Sequence, residues 1–111
     1  MQHPLLIDCE TLQTRLGQPG LVILDVRGRS TYEFGGHIPG AVHSTWHEYS
    51  DPEAIAKGLL DPDVKRIEKR VQALGINRDS EVVIYSNPFD NWGDEGRMFW
   101  MLEYLGHKNI K

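Results

Sequence analysis

The sequence predicts an α/β domain with three layers, α/β/α, built around a mostly parallel central sheet. Three observations lead there. Residues 21–26 and 81–85 are short, continuous aliphatic and β-branched runs, as expected of strands buried on both faces. Residues 64–74 carry one helical stripe of apolar side chains. Glycine and proline punctuation separates these segments, so that strands alternate with helices.

Taken in order, Asp8 can cap a short helix running through Leu12 and Leu16, which Gly17 ends. Gln18-Pro19-Gly20 reads as a turn into the first strand. Residues 29–34 allow about one helical turn, closed by Gly35-Gly36. His37-Ile38-Pro39-Gly40 is a loop, and residues 41–43 suit a short strand. Asp51-Pro52 predicts a short helix stopping at Gly58. Asp61-Pro62 predicts a longer one by the same device, proline at the first helical position behind an aspartate cap. Its stripe is Val64, Ile67, Val71 and Leu74, and Gly75 closes it. After the second strand, residues 86–93 lack periodicity and form a loop. A last helix runs from Asp94 through Met98, Met101, Leu102 and Leu105 to Gly106. Residues 109–111 look like the opening of another strand.

The composition suits one globular domain: 111 residues, 40% hydrophobic and 25% charged. A formal net charge of −4 argues against nucleic acid as a partner, because phosphate binding draws on an excess of cations. No apolar run is long enough to cross a membrane. Residues 1–4 lack the pattern of an export signal, so a cytoplasmic location is the simplest expectation, with an exported one left open. The single cysteine, Cys9, excludes an internal disulfide and a cysteine-rich metal site. His43 and His47 have the spacing of two ligands on one helix face, but they fall in an extended or loop segment, so no metal is expected. No cofactor is implied either.

In a parallel sheet the ligand crevice lies beyond the C-terminal strand ends. Two loops leave those ends, one from Arg27 onward and one over residues 86–93. The first follows Asp25-Val26-Arg27 and contains Tyr32-Glu33-Phe34-Gly35-Gly36-His37-Ile38-Pro39-Gly40-Ala41. Its plain reading is structural: a carboxylate and a guanidinium tying loops together, with His37 hydrogen-bonded in a turn that Pro39 and Gly40 shape. This segment resembles the signature of the rhodanese family. Val82-Val83-Ile84-Tyr85 and the helix ending Tyr104-Leu105-Gly106-His107 fit the same pattern, so the resemblance covers nearly the whole chain.

The resemblance implies a persulfide-forming cysteine directly after the second strand, seated in a loop of backbone amides at a helix N-terminus. Such a seat lowers a thiol's pKa. This sequence has Ser86 there, and no residue between Ser86 and Arg97 is cysteine. A serine hydroxyl is a far weaker nucleophile and forms no persulfide. The vestigial loop is then Ser86, Asn87, Pro88, Phe89, Asp90, Asn91, Trp92 and Gly93. It is longer than the family's active loop, and its Asp90, together with Asp94 and Glu95, competes with an anionic substrate for the positive helix end.

Residues 96–107 are similar to the corresponding helix of the N-terminal, non-catalytic domain of tandem sulfurtransferases acting on thiosulfate or 3-mercaptopyruvate. That likeness implies that residues 1–111 are one rhodanese-like domain, the N-terminal part of a longer chain. The family's C-terminal strand and helix would be cut short, and a sister catalytic domain would be the partner. Arg27 and Arg97 are then candidate contacts for a small sulfur-containing anion or for that partner, against a plainer role in ion pairs. Trp46, Trp92, Phe99 and Trp100 are candidates for a contact surface, and Phe99 and Trp100 cannot both face the core. Cys9 is read as an ordinary buried residue of a first helical turn. The dual-specificity phosphatases that share this fold need a cysteine-led loop as well, so that alternative is weaker still.

Overall fold

The computed structural model describes residues 4–56, 58–87 and 93–111. The elements run α1 (Cys9–Arg15), β1 (Leu21–Asp25), α2 (Arg29–Phe34), β2 (Val42–His43), a 3-10 turn (Trp46–Tyr49), α3 (Val64–Ala73), β3 (Glu81–Tyr85) and α4 (Asp94–Tyr104). The sheet order is β2-β1-β3, all parallel. Beyond β3, Ile110 forms a parallel bridge to Val82, and Lys111 both donates to the Val82 carbonyl and accepts from the Ile84 amide.

Both faces of the sheet are covered, because the side chains alternate along each strand. Leu24, Val26 and Val82 point to the face that Ile67 and Val71 of α3 and Met98, Met101 and Leu102 of α4 cover. Ile23 and Val83 point to the other face, against Leu12 of α1 and Ala41. The helix starts follow local chemistry. Asp8 accepts from the Thr11 amide at 2.7 Å and caps α1, as the sequence suggests.

Two expectations fail between the first and second halves of the chain. The helix expected over residues 51–58 is absent: among its described residues there are turns and bends only. Ile55 is 99% exposed, so a helix here would bury no apolar face, and a short helix without one is unstable in water. An antiparallel bridge between Ser50 and Leu60 closes the segment instead, with Asp51 N–H donating to the Leu59 carbonyl. The 3-10 turn before it has a legible signal that periodicity misses. Thr45 and Glu48 form a capping box, in which Glu48 accepts from the Thr45 amide at 2.7 Å.

The second correction concerns α3, which starts at Val64 behind Asp63 rather than behind Asp61. Two aspartates flank Pro62, and either could cap. Asp63 does, accepting from the Arg66 amide, while Asp61 is buried in a bidentate pair with the Arg66 guanidinium at 2.6 and 2.8 Å. The hydrogen bonds from Arg66, then that from the Asp63 amide, lower the Asp61 carboxyl from 3.8 to about 2. A carboxyl depressed in the native state stabilises the fold above its unfolded value, and the stabilisation fades as pH falls from about 4 through about 2. The expected result is a urea midpoint that drops over that window in the wild type and drops less steeply in Asp61→Asn. Equal slopes in the two proteins would show that Asp61 does not supply the acid sensitivity.

Candidate functional site

The C-terminal strand ends meet in one buried ionic knot. The register sets Asp25 beside Tyr85 on β3 and beside His43 on β2. Asp25 is 0% exposed and fully used. Arg27 donates to it from Nε at 3.0 Å and from Nη2 at 2.7 Å, and the Arg27 amide donates at 2.9 Å. Tyr85 Oη donates at 2.7 Å to Oδ2, the oxygen that Arg27 Nη2 also holds. Burial alone would raise the Asp25 carboxyl, but the Arg27 and Tyr85 hydrogen bonds outweigh it and hold the group below its usual value. The Tyr85 hydroxyl is pushed up, by burial first and then by the carboxylate it donates to.

The same two side chains hold the following loop. Arg27 Nη2 also donates to the Gly36 carbonyl at 2.7 Å, and Tyr85 Oη accepts from the Ile38 amide at 3.1 Å. His37 stacks on Tyr32 with centroids 3.9 Å apart and bonds the Tyr32 carbonyl through Nδ1 at 2.8 Å. The Tyr32 hydroxyl donates to the Ala41 carbonyl. Gly40 sits at φ 81°, which a side chain would strain, next to Pro39. The turn is therefore held by bonds that Arg27, Tyr85, His37 and Tyr32 supply. Sequence reasoning foresaw the Asp25–Arg27 pair and a hydrogen bond of His37 within the turn. It missed Tyr85, whose place at a strand end opposite a buried aspartate is visible only with the register.

Arg97 lies elsewhere. It leaves the first turn of α4, donates to the Gly58 carbonyl and is flanked by the rings of Trp46 at 5.3 Å and Trp100 at 6.0 Å. The plainer reading of Arg97 is an ion pair, and the described residues give other contacts for it. The contacts seen tie α4 to residue 58 and to the 3-10 turn, because its long side chain reaches an acceptor and two π faces there.

Ser86 follows β3 directly and is half-buried with Asn87. Pro88, Phe89, Asp90, Asn91 and Trp92 lie outside the described residues. Gly93, at φ 81°, is the N-cap of α4, and Asp94 and Glu95 stand in its first turn without capping it. Both are half-buried rather than fully solvated, and Glu95 Oε2 is buried with no partner among the described residues. Cys9 is exposed, against the expectation of burial, since Leu12 is the residue that α1 buries. It lines a shallow groove with Leu12, Leu16 and Ile38, and none of Ser86, Asn87 or Gly93 borders that groove. His43 and His47 serve separate contacts: His43 bonds the Arg27 carbonyl at 2.6 Å, and His47 stacks on Trp46 at 3.8 Å. Phe99 packs against the core, while Trp100 is 48% exposed and stacks on Tyr104.

The sequence model of the rhodanese-like domain matches residues 8–111. This chain belongs to the rhodanese-like family. Curated relatives include a thiosulfate sulfurtransferase of Corynebacterium glutamicum, 30% identical over 98% of this chain and 35% of the relative. Another is a thiosulfate sulfurtransferase of Pseudomonas aeruginosa, 34% identical over 94% of this chain and 37% of the relative. The domain thus spans little more than a third of the relatives it matches. In three dimensions it is similar to the rhodanese-like domain of the Alr3790 protein from Anabaena sp., with TM-score 0.51 and 24% identity, covering 96% of this chain and 80% of that one. That likeness bears on the fold. No helix among the described residues is long and apolar enough to cross a membrane.

Proposed function

We propose that this rhodanese-like domain is non-catalytic and acts by shaping or docking a site. In this reading it belongs to a longer sulfurtransferase, whose nucleophilic cysteine lies on a sister domain. One observation carries the proposal: β3 ends at Tyr85, and the next residue is serine. Sulfur transfer through a persulfide requires a thiolate that accepts a sulfane sulfur and then releases it to a second nucleophile. A hydroxyl does neither, and the one thiol borders a different groove. The knot around Asp25 supports a structural role for the family signature, because it holds the loop at the sheet edge without needing a ligand. The names and lengths of the relatives, a probable 3-mercaptopyruvate sulfurtransferase of Pseudomonas aeruginosa among them, support thiosulfate or 3-mercaptopyruvate as the donor for the whole protein, with Arg27 shaping that edge.

The test is incubation of this chain with thiosulfate, followed by cyanide and thiocyanate detection, with intact mass read before cyanide is added. The expected result is no thiocyanate and no mass gain of one sulfur atom, in the wild type and in Cys9→Ser alike. Turnover that disappears in Cys9→Ser would overturn the proposal.

A further inference from the structure

A cleft of about 520 Å³ opens between the 3-10 turn, the segment that follows it and α3. That volume suits a small molecule. Its walls are held in place by the fold. The Ser50–Leu60 bridge and the bond from the Asp51 amide to the Leu59 carbonyl, 2.7 Å, close the segment at its base. Arg97 ties the far wall to α4 by donating to the Gly58 carbonyl.

The walls carry charge of both signs: Asp51 and Asp61 against Arg66 and Arg70. Asp61 and Arg66 satisfy one another in the bidentate pair at 2.6 and 2.8 Å. The other two are only partly used. Asp51 accepts from the Glu53 amide through Oδ1 at 2.9 Å, and among the described residues no cation forms an ion pair with it. Arg70 donates to the Glu48 carbonyl through Nη1, and among the described residues no carboxylate pairs with it. Each therefore keeps hydrogen-bonding capacity for a further partner. Trp46 and His47, stacked at 3.8 Å, give the same cleft an aromatic wall.

We infer that this cleft binds a small zwitterion of the α-amino-acid class with an apolar side chain. Its ammonium group pairs with Asp51, its carboxylate with Arg70, and its side chain lies against Trp46 and His47. What the cleft leaves unspent is one anionic acceptor, one cationic donor and an apolar wall, and an amino acid supplies the complement of each. A small anion would answer Arg70 but meet the Asp51 carboxylate, and like charges brought together cost affinity. A simple amine would leave Arg70 unmatched. A divalent cation would find too few oxygens, since Arg66 holds both of those on Asp61. The inference goes beyond the proposed function and does not depend on whether the domain is catalytic.

The test titrates the whole chain with L-phenylalanine by calorimetry. Beside it run N-acetyl-L-phenylalanine, which lacks the ammonium group, and L-phenylalaninamide, which lacks the carboxylate. The expected result is saturable binding of phenylalanine at millimolar concentration or below, weaker by at least about tenfold for each derivative, because a charged group of the cleft is then left unmatched. Asp51→Asn retains the oxygen that accepts from Glu53 and is expected to bring phenylalanine down to the affinity of the N-acetyl derivative. Arg70→Gln is expected to bring it down to that of the amide. Urea midpoints confirm that both variants fold, and the comparison of the three ligands on the wild type needs neither of them. No saturable binding of phenylalanine, equal affinity for the three ligands, undiminished binding in both variants, or displacement of phenylalanine by equimolar thiosulfate would each overturn the inference.

Discussion

Asp25→Ala is expected to destabilise the domain by about 3–5 kcal/mol, the usual loss when one partner of a buried ion pair is removed. Asp25 is inaccessible to solvent, and four protein donors converge on its two oxygens. Without it, the Arg27 guanidinium keeps the Gly36 carbonyl but loses its counter-charge, and the Tyr85 hydroxyl loses its acceptor. Arg27→Ala should cost a similar amount, because it strands the carboxylate. Tyr85→Phe removes one charge-assisted bond and should cost about 1.5–3 kcal/mol. The Asp25 and Tyr85 losses should not add, since the two groups share one bond. Urea unfolding of the singles and of the double variant measures all of this. Hydrogen exchange at the Ile38 amide, which Tyr85 Oη accepts, reports whether the turn loosens first. A domain of this size has about 5–15 kcal/mol in total, so the Asp25 loss is a large share of it. A loss under about 1 kcal/mol in Asp25→Ala would show that the knot does not hold the sheet edge.

Leu24→Ala is the second large effect. Leu24 lies on the central strand, between β2 and β3, and is 1% exposed in the core that α3 and α4 cover. Truncation there leaves a cavity that flanking strands cannot close, at a cost of about 2–5 kcal/mol. Ile55→Ala deletes a comparable aliphatic group from an almost fully exposed position and should change stability by no more than about 0.5 kcal/mol. Urea midpoints for the pair decide it: similar losses at the two positions would contradict the burial seen.

Much of this architecture could be read from local pattern. Residues 21–26 and 81–85 are too short and too β-branched to be helices, and they form the two longer strands. Asp8 caps α1, and α4 runs where its apolar spacing puts it. The misreadings have local causes as well. Asp61-Pro62-Asp63 offers two caps, and choosing between them depends on which carboxylate Arg66 takes. Residues 51–58 carry a good helix start but no apolar face, so the start signal had nothing to propagate. Thr45 and Glu48 announce a turn that a search for periodicity passes over.

The identity of the atom after β3 is a covalent fact. Oxygen in place of sulfur at residue 86 needs no coordinates to be known, and the signature from Asp25 to Ala41 likewise stands in the chain as written. Partnership is different, because it joins groups distant in sequence. Arg27 and Arg97 look alike as candidate anion contacts, yet the fold closes one onto Asp25 and Gly36 and sets the other between Trp46 and Trp100. Tyr85 reaches Asp25 across sixty residues because the parallel register brings the two strand ends level. Chemical identity and periodicity reside in the chain, whereas burial and partner choice arise when strands pair and helices pack.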